Sequence, residues 1–251
     1  MLEVRSQLST CAKRRAANAC TTCGARAFSV CGSLSPEDLE GLDAIADRAQ
    51  MTTGETLMRQ GDAAGHVFNI TSGSVRVFKL LPDGRRQITG FLFAGDFVGL
   101  GSGDTHAFSA EAIEPTTVCR FRKAEYWALI RQRPSLEAAL LDRATHELAA
   151  AQDQMLLLGR KTARERVASF LLDLPDRDPI RTVDSNEVRL SMTRAEIADY
   201  LGLTIETISR ELTKMKTAGI IHMVSLNEIR IDQPERLRAV ADGLDHAAER
   251  R

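Results

Sequence analysis

Six apolar residues, Leu141, Ala144, Leu148, Ala151, Met155 and Leu158, recur at alternating spacings of three and four. That period predicts one long helix with a seam too narrow to be an ordinary core face. A seam of this width is satisfied by a second copy of itself, which gives a two-fold homodimer. The other reading is a helix laid along the chain's own body. The helical stretch, Pro134 to about Leu174, divides the 251 residues into two parts of different pattern. Strand-like runs precede it and helix-turn-helix-like runs follow. The run from Leu174 to Pro179, with prolines at 175 and 179, marks the domain boundary.

Ahead of the seam, Ser35, Pro36 and Asp38 read as a helix start: N-cap, first helical position and N3. From about Ala49 to Phe121 short apolar runs alternate with glycine turns. Val75 and Val77 should face one way and Arg76 and Phe78 the other. Pro82-Asp83-Gly84 signals a hairpin. Short strands at regular spacing suggest a barrel or jelly roll.

Behind the seam, Thr193 and Glu196 form a capping box, and Ile197, Ala198 and Leu201 give an apolar face. Gly202 permits a sharp turn with positive φ. Thr204 caps a second helix, with Ile208, Leu212 and Met215 expected in the core. This is a helix-turn-helix, whose second helix enters the major groove N-terminus first. Arg210 suits guanine, Glu206 suits cytosine and Ser209 suits either, with Thr207 beside them. Lys214 and Lys216 extend toward phosphates. The plain alternative is a surface ion pair between Glu206 and Arg210. Runs at Ile220–Val224 and Ile229–Asp232 look like a wing. Basic and acidic residues number 33 and 34, so no global field draws the chain to DNA, and any binding needs this local face.

Four of the five cysteines, Cys11, Cys20, Cys23 and Cys31, stand at the front, and Cys119 is isolated downstream. With no secretory pattern and no apolar run of membrane length, the chain reads as cytoplasmic, which favours thiols or metal ligands. Cys20 and Cys23, with two residues between them in the loop, place both sulfurs on one side, and Cys31 can fold back over them. Cys119 becomes a candidate because three ligands need a fourth. Zn²⁺ would also accept four thiolates. Unliganded redox thiols and a disulfide framework are further readings. Cys11 is the spare, a reserve ligand or a bystander. The five histidines show no ligand spacing, and no nucleophile elbow, P-loop or paired carboxylate suggests an enzyme.

With these residues in hand, the chain resembles the Crp–Fnr superfamily of transcription regulators, and within it the Fnr-type oxygen sensors. The resemblance rests on Gln87–Phe91, Ala94–Gly99, Met155–Leu158, Leu190–Arg194 and Tyr200–Arg210. It implies an α+β fold: an N-terminal cyclic-nucleotide-binding-type β-roll, a long dimerisation helix and a C-terminal winged helix-turn-helix. The expected divisions are 1–34, a cysteine-rich sensor segment; 35–133, the β-roll; 134–174, the dimerisation helix and following helix; and 175–251, the DNA-binding domain. The resemblance implies a [4Fe-4S] cluster on Cys20, Cys23, Cys31 and Cys119, and TTGAT-type half-sites read by Glu206, Ser209 and Arg210. The spacing of two then seven residues resembles a variant of the family's cysteine pattern. It also implies activation. The Pro82–Arg86 hairpin reads as exposed, for contact with RNA polymerase or simply as a solvated tip. Where nucleotide-binding members carry Gly-Glu and Arg-Ser pairs, this chain has Gly99-Leu100 and Phe108-Ser109, so no cyclic nucleotide is expected. A haem or other ligand sensor of the same architecture is the alternative. The family weakens its seam with a carboxylate. Ala151 stands there in this chain, which predicts a dimer that persists after cluster loss.

Overall fold

The computed structural model of the chain describes residues 20, 22–101, 103–178 and 186–245. Cys11, the expected lead-in over 1–19 and the tail from 246 lie outside them. Two 3₁₀ turns, Arg26–Phe28 and Val30–Ser33, lead into α1 (Pro36–Ile45). The Ser35 hydroxyl accepts from the Asp38 N–H at 3.1 Å, and Pro36 fills the first position, where a missing N–H costs nothing.

Eight strands follow: β1 (Asp47–Met51), β2 (Thr56–Met58), β3 (His66–Ser72), β4 (Val75–Leu80), β5 (Arg86–Leu92), β6 (Phe97–Val98), β7 (Ser109–Ala112) and β8 (Thr116–Arg122). They form two four-stranded antiparallel sheets, ordered β1-β8-β3-β6 and β2-β7-β4-β5. Their shared interior buries Met58, Ile70, Val75, Leu92 and Val118. The expected alternation along β4 holds. Val75 and Val77 pack inside the roll, while Phe78 joins a different apolar cluster outside it. Gly84 closes the β4–β5 hairpin at φ +85.

No periodic signal announces α2 (Lys123–Gln132), which connects β8 to α3 (Pro134–Arg160). The expected dimerisation helix and the helix after it are α3 and α4 (Ala163–Arg177), divided at Lys161 and Thr162. Thr162 caps α4 in a reciprocal box with Glu165. Pro175 does not end α4 but sits in its last turn, where the missing N–H forfeits a single bond. The division expected between 174 and 175 therefore falls inside α4.

The C-terminal part holds β9 (Glu187–Arg189), α5 (Arg194–Leu201), α6 (Ile205–Thr217), β10 (Ile221–Ser225), β11 (Glu228–Ile231) and α7 (Pro234–Ala241). The strands pair in the order β10-β11-β9, which makes the expected wing part of a three-stranded sheet. α4 packs on α6 and α7, so it belongs with this domain.

The two domains share a core. Phe78, Ile88, Phe91 and Phe93 of the roll are continuous with Val167, Phe170, Leu171, Tyr200 and Leu201. Phe91 lies 5.2 Å from the Tyr200 ring, centre to centre. Polar contacts ring this patch. Arg86 donates to Asp199 at 2.9 and 2.7 Å, and the Gln87 amide donates to the Asp199 carbonyl at 2.7 Å. Arg76 bridges Glu111 and Glu196.

Candidate functional site

The recognition helix is built as its sequence predicts. The Thr193 and Glu196 box starts α5, and Gly202 ends it at φ +63. The Thr204 hydroxyl then accepts from the Thr207 N–H at 3.2 Å. Ile208, Leu212 and Met215 are buried. The Arg166 guanidinium fastens the turn from behind, donating to the carbonyls of Leu158, Lys161 and Leu201 at 2.8 to 2.9 Å. With that face held, Thr204, Ile205, Glu206, Ser209, Arg210 and Lys214 are exposed and Thr207 is half-buried.

The surface pair between Glu206 and Arg210 is not formed. Arg210 instead approaches Thr207 at 3.4 Å and Glu211 at 3.8 Å. Glu206 is held below the usual carboxylate range by its own backbone N–H and the Thr204 hydroxyl, so it is an ionised acceptor at neutral pH. Lys214 is tied to Glu211 at 2.9 Å, which restrains the phosphate role expected of it. At the tip of the wing Leu226 is 87% exposed.

The seam faces outward. Leu141, Leu148 and Met155 are 68%, 60% and 66% exposed in the single chain, and Ala144 and Ala151 are exposed beside them. Only Leu158 is drawn partly into the C-terminal core. The reading of a helix laid on its own body fails, because α3 uses other residues for that, Leu136 and Leu157.

Three of the four expected cysteines share a cleft, and the fourth, Cys31, lies beside it on the neighbouring apolar cluster. Cys20, Cys23 and Cys119 line one open cleft of about 260 Å³ with Arg48, Thr71 and Thr117. Cys20 and Cys31 pack on the cluster that contains Cys119, Val30, Leu34, Tyr126 and Leu136. The second 3₁₀ turn, with Cys31, thus rests on α3, the seam helix. Asp43 accepts from the Cys20 thiol at 3.2 Å, and Arg48 reaches the same sulfur at 3.5 Å while pairing with Asp43. Asn69 donates to the Cys31 sulfur at 3.8 Å.

Burial pushes the Cys20 thiol up to about 12, with the hydrogen bond and charge of Asp43 adding to it. Burial pushes Cys119 up to about 11 and raises Cys31 as well. Of the four thiols, the three that burial raises, Cys20, Cys31 and Cys119, resist ionising unless a cation joins them. In kind and number the four fit a group held by four thiolates. Among the described residues no three metal-ligating side chains converge on one point, so no preformed ion site is present.

Sequence reasoning missed Arg48 and Asn69, whose roles depend on strand register, and Asp43, whose role depends on how α1 packs beside them. The one signal was an asparagine inside the apolar run Val67-Phe68-Asn69-Ile70. In the nucleotide-clamp stretch, Ser109 is buried and accepts from the Gln60 N–H at 3.0 Å, while Lys79 stands 5.6 Å over the Phe108 ring.

A double β-roll, a long helix with an exposed seam and a winged helix-turn-helix define a DNA-binding regulator. Comparison agrees at each level. Residues 48–133 match the cyclic nucleotide-binding domain, and residues 165–240 match the Crp-like helix-turn-helix domain. The chain is 42% identical to the transcriptional activatory protein AadR of Rhodopseudomonas palustris, covering 88% of this chain and 92% of that one. It is 42% identical to the nitrogen fixation regulation protein FixK of Bradyrhizobium diazoefficiens, covering 88% and 93%. The structure of FixK2 from Bradyrhizobium japonicum superposes with a TM-score of 0.73 at 37% identity, covering 78% of this chain and 97% of that one. The chain belongs to the Crp–Fnr family of transcription regulators, and it is a regulator rather than an enzyme. Among the described residues no helix is long and apolar enough to cross a membrane.

Proposed function

We propose that this chain is an oxygen-responsive transcription activator, working as a homodimer and reading TTGAT-type inverted repeats. Cys20, Cys23, Cys31 and Cys119 hold a [4Fe-4S] cluster in this reading. The observation that carries it is the placing of Cys119, on β8, at the same cleft as Cys20 and Cys23. When bound, the cluster supplies an oxygen-labile tie between the N-terminal segment and the roll. The chain's own residues pass that tie on. Val30 and Leu34 of the N-terminal segment pack with Leu136 at the start of α3. Ser135 donates to Asp38, and Arg133 pairs with Asp38 at 3.2 Å, so α1 moves with α3. α3 then presents the seam of Leu141, Ala144, Leu148, Ala151, Met155 and Leu158 to a second copy. Pairing sets the two α6 helices about one DNA turn, ~34 Å, apart. Activation, the role named for AadR, requires contact with RNA polymerase, and the exposed hairpin tip Pro82–Arg85 is suited to it, while Arg86, expected with it, is half-buried and held by Asp199.

The test is anaerobic purification followed by iron, sulfide and zinc analysis and a visible spectrum. Iron and acid-labile sulfide with a broad sulfide-to-iron band are expected. Cys23→Ser should abolish both the band and anaerobic activation. Stoichiometric zinc without sulfide, or a sharp haem band, overturns the cluster assignment.

A further inference from the structure

Cys119 has a neighbour on each side in its sheet. In the register of β1 with β8, Arg48 stands opposite Cys119, and in that of β3 with β8, Asn69 does. Residues directly opposite in antiparallel strands point to the same face. Arg48, Cys119 and Asn69 therefore form one row across three strands, beneath the N-terminal cysteines. The two outer members each reach a sulfur: Arg48 that of Cys20 at 3.5 Å, and Asn69 that of Cys31 at 3.8 Å.

Asn69 is the telling one. It is 3% exposed, and its Oδ1 has no hydrogen-bond partner among the described residues. A buried, half-satisfied amide costs free energy that an apolar residue in the same strand would not, so its presence asks for a use. The Tyr126 hydroxyl, in the apolar cluster on which Cys31 packs, is a second buried polar atom without a partner. Two such atoms beside one cysteine mark its surroundings as built for something other than packing.

We propose that Asn69 and Arg48 are positioning residues that hydrogen-bond the sulfurs of Cys31 and Cys20 and set how readily the thiolate-bound cluster gives up an electron. This rests on the cluster reading above. The physical reason is charge. An N–H donor stabilises negative charge on sulfur, and the more reduced centre carries more of it. Removing a donor therefore lowers the reduction potential and makes oxidation by dissolved oxygen easier. Asn69 acts in a buried setting, where a hydrogen bond is stronger, while the Arg48 side chain is 41% exposed and already shared with Asp43. Asn69 should have the larger effect.

The test uses the full chain, loaded anaerobically with iron and sulfide. Asn69→Leu keeps the shape and removes the donor. Asn69→Ala serves if leucine does not fit β3, and Arg48→Met removes the second donor. Variants are compared with the parent at equal iron and sulfide content. Two quantities are read: the reduction potential by spectroelectrochemistry, and the half-life of the visible band in air-saturated buffer. Loss of Asn69 should lower the potential and shorten the half-life about tenfold, the size usual for loss of an outer partner of a metal ligand. Arg48→Met should move both in the same direction by less. Unchanged potential and half-life in fully loaded Asn69 variants overturn the proposal and leave the cluster reading standing. A parent chain that takes up neither iron nor sulfide overturns both.

Discussion

The residues that face DNA divide by what else holds them. Arg210 has one weak hydrogen bond and one distant ion pair, so its guanidinium is nearly free to meet a base edge. Lys214 is committed to Glu211, whose carboxylate is buried, and leaving that charge unpaired has its own cost. Arg210→Ala should therefore weaken specific binding by about 1–3 kcal/mol and relax discrimination at one base position. Lys214→Ala should instead lower the melting temperature and reduce affinity for every sequence alike. Competition binding against half-sites altered one base at a time separates the two. Equal loss for all sequences in Arg210→Ala would remove it from base reading.

Elements that rely on short-range chemistry were legible. The Ser35, Thr193 and Thr204 caps, the glycine at 202 and the seam of α3 each stand where local residues put them. What was hidden depends on long-range register. Nothing near Asn69 or Arg48 in sequence says that both flank Cys119, and nothing near Phe91 says that a second domain covers it. The helix after the seam is expected, but the heptad pattern does not mark the break at the Thr162 cap, and Pro175, which reads as a stop, sits in the last turn of α4. Gly95 shows the same limit. It is a turn residue by its sequence, yet its φ of +105 and the Phe28 carbonyl, 2.6 Å from where a Cβ would lie, make it the seat of the N-terminal segment. Gly95→Ala should strain that turn and push the segment off the roll. Faster hydrogen exchange over Ala25–Leu34, with the roll interior unchanged, is the expected result; unaltered exchange there would mean that the segment is held elsewhere.

At the scale of the whole molecule two contacts decide what a signal can do. The first joins the roll to α5 through Glu196. Burial would raise its carboxyl, but hydrogen bonds from Thr193 and the Arg76 guanidinium outweigh that and hold it below its ordinary 4.5. A depressed carboxyl stabilises the fold above its unfolded value, and the contribution is lost as pH falls through the folded one. Thermal stability of the parent should therefore fall more steeply than that of Glu196→Gln as pH drops from neutrality to below 4.5. Parallel curves would show that the bridge contributes nothing to the joint. The second contact is the seam. Leu141, Leu148 and Met155 lie mostly bare on one chain, and each contributes about 1.5–3 kcal/mol on full burial. Ala151, exposed among them, adds no charge that pairing must strip of water, whereas a carboxylate there would oppose association. Leu148→Glu should give monomers even when the thiols are loaded. The parent should stay dimeric in sedimentation after air exposure, so that loss of DNA binding comes from reorientation of the joined α5 and α6. Ala151→Asp should restore dissociation on air exposure. A parent that falls to monomers in air would place the switch in the seam instead and leave the Arg86, Gln87 and Arg76 contacts as static supports.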